Sequence, residues 1–261
     1  MISLVGLSNL RNFVVAKCSI CFLTLHDMIR KKTYPKDQLL ERLRPFTSVM
    51  SADEQDELLR ACAVFEYGKG GIIYREGDVV RSMFCLLQGA ALVYVREDSL
   101  HEQIVKVLCA GDFFGLRSYF TGQNYITSCV ATPGTLVCEV PMSHLIIYIK
   151  QNPDLIFFFL KQYAADLGMA DRRYVRLTQK HLRGRLADTL IYLTRRFGLA
   201  DDGCTLGVSF SREELANMSN MTTSNAIRTL SAFVDEGVVA IDRRTIRILD
   251  FNMLHSISKH D

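Results

Sequence analysis

Residues Asn152–His181 read NPDLIFFFLKQYAADLGMADRRYVRLTQKH, and this stretch decides how the chain is organised. Asn152-Pro153-Asp154 is a helix start: proline presets φ and lacks an N–H that the first turn would not use, and a carboxylate there suits the positive end of the helix dipole. Leu160, Tyr163, Leu167, Ala170, Tyr174 and Leu177 then follow at alternating spacings of three and four, with His181 next in the series. Asp171, Arg172, Arg173 and Arg176 take the other faces. An apolar stripe with that spacing over about three heptads is the seam of a coiled coil. The same stripe also fits an ordinary helix that turns one face to its own core. The expectation is a symmetric homodimer whose subunits meet along this helix.

Downstream, Ser211-Arg-Glu-Glu214 is a capping box that opens a short helix through Leu215, Ala216 and Met218. Ser219-Asn220-Met221 makes a turn, and Thr222 caps a second helix with Ala226, Leu230 and Phe233 on one face, ended by Gly237. The opposite face carries Thr223, Ser224, Asn225, Ile227, Arg228 and Ser231. Val238-Val239-Ala240-Ile241, a basic turn Arg243-Arg244, and Ile246-Arg247-Ile248 follow as a hairpin. Together these pieces predict a winged helix-turn-helix, with a helical hairpin bearing a solvated polar face as the alternative. Such a module lays its second helix in the major groove, where each base pair shows its own donor and acceptor pattern. Arg228 can fork onto a guanine edge and Asn225 onto an adenine.

Upstream the texture differs. Residues 36–64 have helical periodicity, with a second capping box at Ser51-Ala-Asp-Glu54. From Val64 to Val140, short apolar runs alternate with turn residues at intervals of about ten, which argues for an antiparallel β sandwich or barrel. The fold class is therefore α+β, an N-terminal antiparallel β domain followed by a long helix and a C-terminal winged helix-turn-helix. The expected division is an extension over 1–35, a sensor domain over 36–150, a dimerisation helix over 151–183 and a DNA-binding domain over 184–261.

The chain has 261 residues, 49% of them hydrophobic and 23% charged, an ordinary globular balance. Basic residues outnumber acidic ones from Arg172 onward, whereas the rest is nearly neutral, which permits an anionic partner without requiring one. The apolar run from Phe13 to Leu25 is interrupted by Lys17 and falls short of the ~20 residues a membrane span needs. No membrane association is expected, and the chain is placed in the cytoplasm, where its eight cysteines act as small buried hydrophobes. Met28, ahead of Ile29-Arg30-Lys31-Lys32, offers an alternative start, so residues 1–27 read as a mis-assigned leader or as an arm. No Walker A loop, G-x-S-x-G or H-E-x-x-H motif is present, and no enzyme is expected.

The order Arg75-Glu76-Gly77-Asp78, Leu87-Gln88-Gly89-Ala90, Ala110-Gly111-Asp112-Phe113-Phe114-Gly115 resembles the jelly roll of cyclic-nucleotide-binding domains. Continued through Gln151-Asn-Pro-Asp154 and Gly184-Arg-Leu-Ala-Asp-Thr-Leu190, it resembles the CRP/FNR family of bacterial transcription regulators over roughly residues 45–250. The resemblance implies a homodimer on a palindromic operator in double-stranded DNA, with RNA polymerase as a further partner it allows. It also implies backbone contacts from Ser211, Arg212, Thr222, Arg244 and Thr245. At the reading positions Ser224 stands where the family usually has a glutamate, Thr223 where it has arginine or valine, and only Arg228 matches.

The sensor departs further from the family. Cyclic-AMP-responsive members supply a glutamate for the ribose and an arginine for the phosphate. Here Leu116 and Ile126 stand in those places, and Ala170 and Asp171 replace two hydroxyls on the dimer helix. A buried phosphate left unpaired costs several kcal/mol, so cyclic AMP is not the expected effector. Gly115, Leu116, Arg117, Ser118, Ile126, Thr127, Ala170 and Asp171 form the candidate effector pocket, its ligand unknown or absent. No cofactor is predicted. Two alternatives stay open: an iron–sulfur cluster on Cys18, Cys21, Cys62 and Cys109, or haem on one of His26, His101, His144 and His181. A cyclic-nucleotide-binding regulatory module without DNA binding is the reading from another class.

Overall fold

The computed structural model describes residues 29–96 and 102–261. Cys18, Cys21, His26 and His101 lie outside them. The chain divides into two compact units, one running to Leu92 and resuming over Ala110–Ile147, the other made of Val93–Cys109 and Tyr148–Asp261.

In chain order the elements are β1 (Ile29–Lys32), α1 (Lys36–Thr47), α2 (Ala52–Ala61), β2 (Ala63–Tyr67), β3 (Ile72–Tyr74), β4 (Ser82–Gln88), β5 (Ala90–Arg96), β6 (Glu102–Cys109), β7 (Phe113–Phe114), α3 (Arg117–Phe120), β8 (Ser128–Ala131), β9 (Thr135–Pro141), α4 (Met142–Gln151), α5 (Pro153–Gln179), α6 (Leu182–Phe197), α7 (Arg212–Met218), α8 (Thr223–Asp235), β10 (Val239–Asp242), β11 (Thr245–Ile248) and α9 (Phe251–His260). The strands form sheets of order β1-β2-β9-β4-β7 and β3-β8-β5-β6, with the hairpin β10-β11 apart. Strands β2 and β4 both pair antiparallel with β9, and β3 pairs antiparallel with β8, partners distant in the chain as a jelly roll requires. This is the expected α+β architecture.

Within the first unit, β4 is buried along almost all its length because it lies between β9 and β7. The edge strand β1, absent from the sequence reading, carries Arg30, Lys31 and Lys32 outward, and Lys32 pairs with Glu66 at 2.9 Å. Charged residues along an edge discourage further strand pairing. Tyr74 of β3 stacks on Tyr125 at 4.1 Å and on Phe84 of β4 at 5.9 Å, so rings from both sheets share one core. Ser51 caps α2 with the reciprocal bond to Glu54 that its sequence predicts.

In the second unit, the Asn152 side chain accepts from the Asp154 N–H and Pro153 opens the 27-residue α5. Only Lys180 and His181 separate α5 from α6. Helices α6 and α9 bury Leu186, Leu190, Leu254 and Ile257. A Cβ on Gly184 would lie 2.6 Å from the Asp261 carbonyl carbon, so the glycine here serves close backbone approach. Among the described residues no helix is long and apolar enough to cross a membrane.

The turn between β4 and β5 gives a stability test. Gly89 has φ +83°, and a Cβ there would sit 2.8 Å from Thr135 Oγ1 and 2.9 Å from its Cα. Gly134, at φ +70°, has open space around it. Gly89→Ala should lower the unfolding free energy by about 2–4 kcal/mol, strain and overpacking together. Gly134→Ala should lower it by about 1–2 kcal/mol, strain alone. Urea denaturation of the two variants measures the difference.

Candidate nucleic-acid interface

Ser211 Oγ accepts from the Glu214 N–H at 3.1 Å while the Glu214 carboxylate accepts from the Ser211 N–H at 2.6 Å, which fixes the start of α7. The turn that follows passes through Asn220 at φ +49°. It is pinned from beneath by the Ser219 hydroxyl, which donates to Thr189 Oγ1 of α6 at 2.8 Å in a buried position. Thr222 Oγ1 accepts from the Asn225 N–H at 3.2 Å and caps α8. Ala226, Thr229, Leu230 and Phe233 are buried on the inner face of α8, and Thr223, Ser224, Ile227, Arg228 and Ser231 are exposed on the outer one, with Asn225 half-buried. The two faces are those the sequence predicts.

The wing is a two-residue hairpin. Asp242 pairs with Thr245, leaving Arg243-Arg244 as the turn, and Arg243 sits at φ +52°. Glycine or asparagine is favoured at a positive φ, so Arg243 holds its exposed cation, beside that of Arg244, at a conformational cost. The Arg243 carbonyl accepts from Arg212 Nη2 at 3.0 Å. Arg212 therefore braces the start of α7 to the wing, and burial lowers the pKa of its guanidinium. Sequence reasoning nominates Arg212, Arg244 and Thr245; in the structure Thr245 is half-buried and Arg243 shares the exposed tip with Arg244. The sequence places Arg243 in the basic turn without nominating it as a contact, and the structure puts it at the tip beside Arg244.

The candidate effector residues fall in two places. In the first unit, Leu116, Ser118 and Thr127 are buried, Arg117 is exposed and Ile126 is 47% exposed. Gly115 is held at φ +87°, where a Cβ would meet the Phe84 ring at 2.8 Å. Thr127 Oγ1 and the Tyr74 hydroxyl lie 3.4 Å apart, and the Tyr125 hydroxyl donates to the Ser82 carbonyl at 3.0 Å. Burial pushes both phenols above their usual range. Ala170 and Asp171 are exposed on α5, in the second unit.

Among the described residues, Cys62, Cys85, Cys109, Cys129, Cys138 and Cys204 form no disulfide, and no three His, Cys, Asp or Glu side chains are grouped to hold a metal. Burial pushes the Cys85 thiol up to about 12 and raises that of Cys129, which disfavours their reactive thiolate forms. Along α5, Leu160, Leu167 and Tyr174 are 58%, 63% and 71% exposed, Ala170 is exposed, and Tyr163 and Leu177 are half-buried.

A β-sheet domain, a long helix and a helix-turn-helix with a basic wing define a DNA-binding regulator. Comparison with known proteins agrees. The cyclic nucleotide-binding domain matches residues 64–152, and the Crp-like helix-turn-helix domain matches residues 184–257. The transcriptional activator protein Anr of Pseudomonas aeruginosa is 24% identical over 204 residues, 78% of this chain and 82% of that protein. The cAMP-activated global transcriptional regulator CRP of Haemophilus influenzae is 22% identical over 192 residues, 73% and 86% of the two chains. FixK2 from Bradyrhizobium japonicum shares the fold with a TM-score of 0.69 at 24% identity, over 75% of this chain and 96% of that one. A CRP-family regulator from Thermus thermophilus does so with a TM-score of 0.65 at 19% identity, over 74% and 96%. The chain belongs to the CRP/FNR family of DNA-binding transcription regulators, and its relatives are regulators, not enzymes.

The strained wing separates stability from binding. Arg243→Asn should raise the unfolding free energy by about 0.5–1 kcal/mol, because asparagine tolerates φ > 0 better. It should weaken duplex binding and reduce the slope of log K against log salt by about 1, the loss of one phosphate contact. Chemical denaturation and a salt titration of DNA binding check the two halves.

Proposed function

We propose that the protein acts as a homodimer that reads a two-fold symmetric operator and that cyclic AMP is not its effector. One observation carries the dimer: Leu160, Leu167 and Tyr174 repeat at heptad spacing along α5 and are 58–71% exposed in the single chain. Three large apolar groups in register are what a second copy of the same helix covers, knob into hole. Asp166 and Arg173 engage other groups of the same chain on another face, which leaves this row for the partner.

Two-fold symmetry then places two α8 helices about one helical turn of DNA apart, ~34–36 Å, and makes the operator a palindrome. Arg228 forks onto a guanine edge, Asn225 addresses an adenine, and Thr223 and Ser224 reach neighbouring base edges. Ser211, Thr222, Arg244 and Thr245 contact phosphates, Arg243 joins them, and Arg212 serves them by holding the wing. In this reading the sensor spans residues 36–150, extended at its edge by β1, the dimerisation helix 151–183 and the reading head 184–261.

The sensor side supports an effector of other chemistry or none. Leu116 is part of the core, and Ile126 offers no charge to a phosphate. The stacked Tyr74, Tyr125, Phe84 and Phe114 occupy the interior beside Gly115.

Three measurements test the reading. Leu160→Glu with Leu167→Glu should convert a dimer into a monomer in sedimentation velocity, while a parent chain that already sediments as a monomer would reject the proposal. Arg228→Ala should cost about 1–3 kcal/mol on the selected operator and relax preference at one base position in each half-site. Cyclic AMP at millimolar concentration should leave the thermal midpoint and operator affinity unchanged, and a clear upward shift would overturn the assignment of the cassette.

A further inference from the structure

The C-terminal end of α7 is bound by the chain in a way that neither the recognition face nor the α5 seam requires. The Asn217 carboxamide works like one residue of a neighbouring strand. Its Oδ1 accepts from the Ile104 N–H at 2.7 Å, and its Nδ2 donates to the Glu102 carbonyl, two groups that point the same way from the edge strand β6. Gln103 Nε2 returns a bond to the Asn217 carbonyl at 2.7 Å.

Beside it, Arg173 of α5 donates from Nη1 to the Val105 carbonyl at 2.7 Å, and from Nη2 to the Ile104 carbonyl and to the Met218 carbonyl at 3.2 Å. Met218 is the last residue of α7, where the exposed carbonyls favour a cation. Burial lowers the pKa of Arg173, and its bonds are to main-chain oxygens on two different elements. Lys106 of β6 also pairs with Asp166 of α5 at 2.6 Å, two helical turns before Arg173. Three elements thus meet at one polar joint inside the second unit.

We infer that Arg173 and Asn217 are positioning residues for DNA binding: by fixing α7 and α5 to the same strand, they set the angle between the recognition helix and α5. The covalent link alone, Lys180-His181, leaves backbone torsions free to vary the angle. The joint removes that freedom. A half-open joint would strand a partly buried guanidinium without its acceptors, so closing as a whole is favoured. With it closed, Thr223, Ser224, Arg228, Arg243 and Arg244 all remain exposed, so the closed state leaves the reading face free to meet DNA.

The inference rests on the dimer reading, because an angle matters only when two heads must land together. The full chain and its variants Arg173→Met, Asn217→Ala and Arg173→Lys are titrated against the selected operator, a duplex with one half-site, and an operator with one base pair inserted at its centre. Parent protein should prefer the two-half-site duplex by about 100-fold or more. The Met and Ala variants should lose about tenfold or more on that duplex, hold the single half-site within about twofold, and tolerate the inserted base pair better than parent. Arg173→Lys, which keeps the charge without the fork, should fall between. Sedimentation and circular dichroism of each variant confirm that it is a folded dimer, and Arg173→Lys stands in should a truncation fail to fold. Variants that keep parent selectivity and spacing, bind more tightly, or weaken equally on both duplexes overturn the joint. A parent that binds one and two half-sites alike overturns the dimer reading and the joint with it.

Discussion

Helix α5 satisfies different neighbours on different faces, and the rest of the structure depends on that division. Leu155 and Phe159 are buried near its start, Asp166 and Arg173 reach β6, and Leu160, Leu167 and Tyr174 face outward. A helix of 3.6 residues per turn can keep these sets apart only while its register holds. One inserted residue would rotate everything beyond it by about 100°. That rotation would turn Arg173 away from its carbonyls and break the heptad row together. The exposed apolar row and the Arg173 bonds to β6 are therefore coupled through a single torsional constraint.

The β unit makes the opposite choice. Its interior is filled by rings from both sheets, with Gly115 brought against Phe84 so closely that a methyl group has no room. The segment after Gly115 is anchored by Leu116, Ser118 and Thr127, all buried. Aromatic stacking and area burial stabilise such an interior strongly and non-polarly. The cyclic nucleotide-binding domain matches this part of the chain, and Leu116, Ser118 and Thr127 within it are packed into the interior.

Much of this was legible in the sequence because the signals were local. Capping boxes at Ser51 and Ser211, the Asn152-Pro153 helix start, the Thr222 cap and Gly237 at φ +72° each fix a backbone conformation within a few residues, and each sits where its chemistry predicts. The two faces of α8 follow from its periodicity in the same way. What the sequence concealed needs distant partners. Strand β1 reads as a short basic run and becomes a strand only because β2 offers it an edge. Helix α9 starts on the Asp250 cap, but the apolar face it carries is accounted for only by α6, which it covers. Arg212 reads as a backbone-contact residue, and only the fold reveals that the Arg243 carbonyl also lies within reach of its Nη2. Arg173 reads only as a residue off the apolar stripe, and nothing in its neighbourhood of sequence points to residues 104, 105 and 218.

The wing hairpin shows how the reading head divides its work. Val239, Ile246 and Ile248 turn inward and are almost fully buried, while the tip projects through a turn whose intrinsic preference favours other residues. The inner residues answer to the hydrophobic interior, the outer ones to whatever they touch. Substitutions at the tip leave the anchoring apolar face intact, so the charge and strain of the tip can change without remodelling the domain. A head built this way can have its hold on a polyanion strengthened or relaxed by small steps, each compatible with a folded ancestor.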